Sequence, residues 1–288
     1  MNWQRWRARA RKLQAHPQPL RFVLSRALWH AGISERLVAD IGDGLKIRFY
    51  PSSISAALWI SSDARSEDEG FLRLVLRPGD TYVDCGANIG HLAIVARSIV
   101  GEAGVVTAFE ANPRIYNYCV GNLELNEFRD VLVMNVALGD TRGTTKISDH
   151  RADDQNQVGE GHATVPMRPL DELITSEHVN LLKIDVEGYE LFVLRGAKQL
   201  LERTDIVYCE LSTRNSARFG YLPSDAEQLL IEAGFVLVKQ VEDGWALAPD
   251  GLFKTLSDSD LPATGYNLIA VKRSALPMIE ARGVRVTP

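Results

Sequence analysis

The chain has 288 residues, one large domain or two modest ones at roughly 100–200 residues each. Its 45% hydrophobic and 24% charged residues argue against a disordered or collagen-like chain, and no apolar run reaches the ~18–20 residues of a bilayer span. A formal charge of −5 is a poor footprint for wrapping nucleic acid, and three scattered cysteines without a CxxC pair (Cys85, Cys119, Cys209) argue against a disulfide framework or structural zinc.

The charge is unevenly spread. Residues 1–26 hold seven Arg or Lys and no acid, so the remaining 262 residues carry −12. Trp3 and Trp6 lie among those arginines. Two readings follow: an amphipathic helix that touches anionic lipid or a partner, or a solvated basic arm or first helix against an acidic body. The second takes precedence, because charge runs are usually solvated. Arginines interrupt the segment before a secretory core forms, so a cytoplasmic protein is expected, with peripheral membrane contact as the alternative.

Residues 1–70 read as an N-terminal extension with a basic first segment. Within it Ser25 to Ala39 is expected to be helical and Leu45 to Tyr50 a short strand. Ser61 to Gly70 reads as a polar break. From Phe71 to Ser274 short apolar runs alternate with helix-period segments. Thr81 to Asp84 reads as a strand, and Leu92, Val95, Ala96 and Ile99 mark a helix face closed by Gly101 and Gly104. Val105 to Glu110 is the next strand. Pro113 opens a helix carrying Tyr116, Cys119, Val120 and Leu123. Val131 to Leu138 and Leu181 to Val186 are further apolar runs. Val193, Ala197, Leu200 and Leu201 mark a helix, and Ile206 to Leu211 a strand. Ser224 to Glu227 reads as a capping box, with Gly234 ending its helix. Phe235 to Val238 and Asn267 to Val271 are late strands, and residues 275–288 read as a C-terminal tail.

This order predicts parallel βαβ units in an open α/β sheet, whose ligands bind outside the carboxyl ends of the strands. The polar stretch from Ser148 to His162 reads as a surface loop or as a lid over that site.

Val83-Asp84-Cys85-Gly86-Ala87-Asn88-Ile89-Gly90 runs strand, tight turn, helix. Gly86 permits positive φ and close backbone approach, and Gly90 permits tight helix packing. Glu110 follows Gly90 by 20 residues, where an acid accepts hydrogen bonds from ribose hydroxyls. Dinucleotide binders place a glycine where this chain has Asn88, and Asp84 sets a negative charge before the turn. Both disfavour a pyrophosphate. Both suit S-adenosylmethionine, which has no phosphate and carries a cationic amino group and a sulfonium. The second motif, Leu182-Lys183-Ile184-Asp185-Val186-Glu187-Gly188-Tyr189-Glu190, ends a strand beside the first turn. Asp185 and Glu187 are expected there to orient the cofactor, accept a substrate proton or hold a cation, unless they merely stabilise a helix start.

With Pro78-Gly79-Asp80, Phe109-Glu110-Ala111-Asn112-Pro113, Ala137-Leu138-Gly139-Asp140, Pro169 to Leu173 and Tyr208-Cys209-Glu210-Leu211, these motifs resemble the FkbM family of S-adenosylmethionine-dependent methyltransferases. The resemblance spans about Phe71 to Ser212. It implies a Rossmann-like class I methyltransferase sheet, mostly parallel and doubly wound, with a small N-terminal α/β extension. It also implies O-methylation of sugars or natural products. Ala111 departs from the family, which often has proline before Asn112-Pro113.

The expected roles follow. Asp84, Gly86, Asn88 and Gly90 hold the methionyl end, Glu110 the ribose, and Asn135 to Leu138, with Ala137, the adenine. Asp185 also serves the cofactor. Asp185 and Glu187 carry acceptor-side chemistry, with His150 in the polar loop as a lesser candidate base. Asp185, Glu187 and Glu210 have oxygen ligands of the kind Mg²⁺ prefers, but their spacing assigns no metal site. Competing readings are a nicotinamide-dependent oxidoreductase, against which Asn88 and the lack of a Tyr-x-x-x-Lys pair count, and a non-catalytic cofactor-binding module. A nucleic-acid acceptor is not expected, since the body is acidic and lacks an Asn/Asp-Pro-Pro-Tyr/Phe motif. Acceptor specificity is expected in residues 1–70, 148–162 and 213–266.

Overall fold

A computed structural model of the chain describes residues 18–149, 156–241, 244–248, 252 and 265–287. It opens with α1 (Pro19–His30), a hairpin of β1 (Val38–Gly42) and β2 (Leu45–Arg48), α2 (Ser53–Ile60) and α3 (Ser66–Val75). Next come β3 (Thr81–Cys85), α4 (His91–Val100), β4 (Val105–Phe109), α5 (Pro113–Leu125) and β5 (Leu132–Met134). A side sheet holds β6 (Ala137–Leu138), β7 (Gly143–Ile147) and β8 (Ala163–Arg168). Then follow β9 (Val179–Ile184), α6 (Glu190–Arg195), α7 (Lys198–Glu202), β10 (Thr204–Leu211) and α8 (Thr213–Ser216). Last are α9 (Pro223–Glu232), β11 (Phe235–Val241), β12 (Gly244–Leu247), β13 (Tyr266–Lys272), α10 (Leu276–Ala281) and β14 (Val286–Thr287).

Side-chain alternation decides the layering. Tyr82, Leu181, Ile206 and Tyr208 enter one core, while Val83, Leu182, Val207 and Cys209 enter the other. Strands buried on both faces need helices on both, which selects the doubly wound arrangement. The main sheet runs β14-β12-β11-β13-β10-β9-β3-β4-β5. Its block from β10 to β5 is parallel, and β13 is antiparallel to β10. Chain order reverses between β3 and β9, so a crevice opens at their carboxyl ends.

Several expectations change, each for a local reason. The helix placed at Ser25–Ala39 runs Pro19–His30, because Pro19 suits its first turn and Gly32 (φ +68°) ends it, leaving Val38–Gly42 to pair as strand. The polar break at Ser61–Gly70 holds the start of α3, where Glu67, Asp68 and Glu69 meet the positive helix end. The apolar run Val131–Leu138 divides between two sheets. Asn135 Nδ2 turns the chain there by donating to the carbonyls of Glu110 (2.8 Å) and Ala111 (2.9 Å). The helix through Val193 and Leu200 breaks at Gly196, whose missing side chain admits the Gly139 carbonyl. Leu222, not Ser224, caps α9, its N–H donating to Asp225 at 2.8 Å; Glu227 instead accepts from the Tyr266 hydroxyl at 2.8 Å.

The described segments on either side of the parallel block are tied into it. Ile47 and Leu58 share the core of α4 and α5. Asn122 on α5 accepts from Arg48 N–H and donates to the Ile89 carbonyl, both at 2.9 Å. The segment read as a tail supplies Ile279 and Val284 to the same core, adds β14 to the sheet and pairs Arg282 with Asp80 at 2.9 Å.

Candidate active site

The first turn is built by backbone demands. Gly86 has φ +82°, and a Cβ there would stand 1.8 Å from the Asp185 carbonyl oxygen. The close approach that needs glycine is thus between the ends of β3 and β9, where Asp185 N–H donates to the Cys85 carbonyl at 2.9 Å. Gly90 (φ +82°) packs against Cys119, leaving only 2.8 Å between a Cβ and its Sγ. Asn88, in the middle position, has φ +51°. Asparagine tolerates this left-handed region, so the glycine geometry survives the substitution. Its N–H donates to Glu110 Oε2 at 2.9 Å, while Glu110 Oε1 accepts from Asn112 N–H at 2.8 Å. Two backbone donors therefore fix the Glu110 carboxylate at the end of β4.

The second turn carries more strain. Glu187 has φ +55° and Gly188 φ +104°. Glu190, buried at the start of α6, accepts from Gly188 N–H at 2.8 Å and Val186 N–H at 3.3 Å. The Tyr221 hydroxyl lies 2.9 Å from both Glu190 Oε2 and the Gly188 carbonyl. Asn215 on α8 donates to Glu187 Oε2 at 3.0 Å. The turn that presents Asp185 and Glu187 thus leans on side chains roughly 30 residues downstream.

These turns floor an open cavity of ≈1140 Å³. That exceeds the ~300–1,000 Å³ typical of small-molecule sites, leaving room for a cofactor and part of an acceptor. Asp84, Gly86, Asn88, Glu110, Ala137, Asp185 and Glu187 all line it. Gly90 acts from behind, through helix packing. His150 lies outside the described residues. The three regions expected to set specificity all reach the wall, through Ser53 and Ile54, through Asn156 to Glu160, and through Arg214 and Arg218.

Charge on the floor is organised around Lys183, which is buried. Its Nζ lies 3.3 Å from Asp84 Oδ1 and 3.5 Å from Asp185 Oδ2. Burial opposes its charge, but these two carboxylates prevail and hold its pKa above the ordinary lysine value. Asp84 is fully buried, and neither of its oxygens makes a well-formed hydrogen bond. Burial raises its pKa against the opposing pull of Lys183, and Asp185 adds to the rise. Glu210, at the end of β10, has a pKa pushed up to about 7, first by the Asp185 charge and then by burial. Arg65, just before α3, lines the same cavity and pairs with Asp68 at 2.9 Å.

Sequence reasoning missed the roles of Lys183, Arg65 and Glu190. A lysine inside an otherwise apolar strand was the available signal for the first. Arg65 had none, since its segment read as a break. The described residues bring no three His, Cys, Asp or Glu side chains into a metal-binding group.

S-adenosylmethionine fits these residues. Asp84 is a buried carboxylate short of hydrogen bonds, suited to a cationic group. Glu110 is an anchored acceptor on the next strand. Phe109, Val136, Ala137, Leu138 and Ile147 form an apolar wall.

The chain is similar in sequence to known methyltransferases. The family described as "Methyltransferase FkbM domain" matches residues 84–237. A hexuronic acid methyltransferase, AglP, of Haloferax volcanii is 30% identical over 216 residues, covering 72% of this chain and 84% of that protein. Among solved structures, the methyltransferase FkbM of Methylobacillus flagellatus KT aligns with TM-score 0.43 and 15% identity, over 75% of this chain and 53% of that one. Aeropyrum pernix fibrillarin with natively bound S-adenosyl-L-methionine aligns with TM-score 0.41 and 16% identity, over 76% and 74%.

Proposed function

This chain belongs to the FkbM family of methyltransferases, and we propose that it transfers a methyl group from S-adenosylmethionine to a hydroxyl oxygen of a sugar, glycan or similar small molecule. Asp84 carries the cofactor reading. A buried carboxylate without well-formed hydrogen bonds is costly, and a second cation beside it offsets that cost. The relationship to a hexuronic acid methyltransferase supports a sugar acceptor. Arg214 and Arg218 favour an acidic one, since both line the cavity and neither has an ion-pair partner among the described residues.

S-adenosylmethionine, when bound, supplies an electrophilic methyl on a good leaving group. Asp84 would hold its cationic end, and Glu110 would accept from its ribose hydroxyls. Asp185 and Glu210 take up the acceptor hydroxyl proton, the proton affinity of Glu210 being raised by the Asp185 charge beside it. Such a base contributes ~10²–10⁴-fold. Cavity walls that align the acceptor contribute ~7–11 kcal/mol at best. Glu187, held by Asn215, orients the acceptor. Lys183, 3.3 Å from Asp84 and 3.5 Å from Asp185, opposes the rise that burial imposes on the Asp84 pKa.

Calorimetry with S-adenosylhomocysteine tests the cofactor, with NAD and NADP as controls. Wild type binds the homocysteine product alone, and Glu110→Ala weakens that binding about tenfold or more. Mass-shift assays on uronic acids and uronate-bearing glycans then test the acceptor. Nicotinamide binding would overturn the reading, and cofactor binding with no methylated product on any acceptor would favour a binding module.

A further inference from the structure

Exposed large apolar side chains concentrate at the N-terminal end of the described chain. Leu20 is 85% exposed, Val23 50% and Leu24 49%, all on α1. With Ala27 and Ala31, also exposed, they recur at i, i+3, i+4, i+7 and i+11. That spacing is one stripe along one side of a helix. The packed side holds Ser25 and Trp29, both buried, and half-buried Phe22. The helix therefore buries a serine and turns two leucines and a valine outward, the reverse of ordinary packing. Ile33 and Val38, 42% and 43% exposed, extend the apolar surface beyond it.

Cations border the stripe. Arg21 and Arg26 project on either side of it by helical spacing. Arg21 Nη1 donates to the Ile60 carbonyl at 3.3 Å, and the Arg26 guanidinium lies 5.5 Å from the Phe22 ring. The first acid of the chain is Glu35, behind the seven Arg or Lys of residues 1–26.

We propose that α1 is a membrane-contact element whose outward stripe enters the headgroup boundary of a bilayer rich in anionic phospholipid. The charge pattern selects this occupant. Basic flanks beside an apolar stripe gain from both anionic headgroups and acyl chains. The rest of the chain, at −12, is repelled by the same surface and so turns away from it. A second copy is disfavoured, because pairing two such faces would bring the Arg21 and Arg26 of both copies together. Neither of the two cavities lined by Asp84 and by Ser66 includes a residue of α1. No helix among the described residues is long and apolar enough to cross a membrane, so the contact is interfacial.

The test is vesicle flotation of the full chain, with phosphatidylcholine alone and with about a third phosphatidylglycerol. Wild type floats with the anionic vesicles, less with neutral ones, and less as salt rises. The combined variant Leu20→Glu, Val23→Glu, Leu24→Glu loses about tenfold or more of that binding. Its melting curve and S-adenosylhomocysteine affinity stay as in wild type, because the three side chains already face solvent. Absence of wild-type flotation would overturn the proposal, as would full flotation of a folded triple variant. A concentration-dependent dimer that the triple variant abolishes, without vesicle binding, would reassign the stripe to self-association and overturn it equally.

Discussion

Glu190→Gln isolates the burial of one carboxylate beneath the Asp185–Gly188 turn. Glu190 is 2% exposed. Burial pushes its pKa from the usual 4.5 up to about 7, and its N–H and O–H donors pull it only partway back. Between those values the folded state holds a proton that the unfolded chain has released. Stability from this group is therefore full below about pH 4.5 and is lost as pH rises through about 7. At about 1.4 kcal/mol per pKa unit, wild type loses about 3 kcal/mol across that window. Glutamine keeps the shape without the charge. Its carbonyl accepts from Gly188 N–H, and its amide donates to Tyr221, whose hydroxyl proton can turn to the Gly188 carbonyl at 2.9 Å. Urea unfolding of both proteins from pH 4.5 to 8 reads the difference, and background titrations common to both cancel. The stability of Glu190→Gln relative to wild type should climb by about 3 kcal/mol over the range. A flat difference would refute the reasoning, since it would mean that the Gly188 and Val186 donors fully compensate the buried charge.

Gly86→Ala should cost about 2 kcal/mol or more and abolish cofactor-product binding, because φ is +82° and the new Cβ meets the Asp185 carbonyl; thermal melts and calorimetry check both. Asp84→Asn should weaken S-adenosylhomocysteine binding about tenfold or more, as the product retains the amino group that the carboxylate would face. Unchanged affinity would place that group elsewhere. With a uronate acceptor, kcat/KM in wild type should rise with pH through about 7 as Glu210 loses its proton, and Glu210→Gln should lack that limb and lose ~10²–10⁴-fold in rate.

The first turn was legible because its signal is local. Gly86, Asn88 and Gly90 all take positive φ within one strand–turn–helix unit, and Glu110 is the next strand end, although the close contacts that demand the two glycines come from Asp185 and Cys119 farther along the chain. The parallel block was equally legible from strands alternating with helix-period segments. Legibility failed where a short segment is shaped by distant partners. Asn135 bends the chain between sheets through carbonyls 24 and 25 residues upstream. Tyr221 supports Glu190 from 31 residues away. α3 reads as a polar break because its acids outnumber its apolar residues at the start; its buried face of Phe71, Leu72 and Val75 comes late in the helix. Missing α3 also hid Arg65, which the helix start delivers to the cavity.

Strand register then joins the legible parts to the hidden ones. Asp84, Lys183 and Tyr208 are Cα partners on β3, β9 and β10. One row therefore crosses three strands at the end of the sheet. Tyr208 extends it by donating to Asp68 at 2.9 Å, and Asp68 pairs with Arg65. Charge alternates along the row: carboxylate, ammonium, hydroxyl, carboxylate, guanidinium. The apolar residues just below, Tyr82, Leu181 and Ile206, share one core face. A slip of one residue would turn that whole set to the other face. Hydrophobic burial in the sheet thus fixes where the charged row lies, without any of the row's own interactions having to be strong. The same parity that hides Leu181 delivers Lys183 and then Asp185 to the cavity floor, so the packing of the core and the placing of the acids are one constraint.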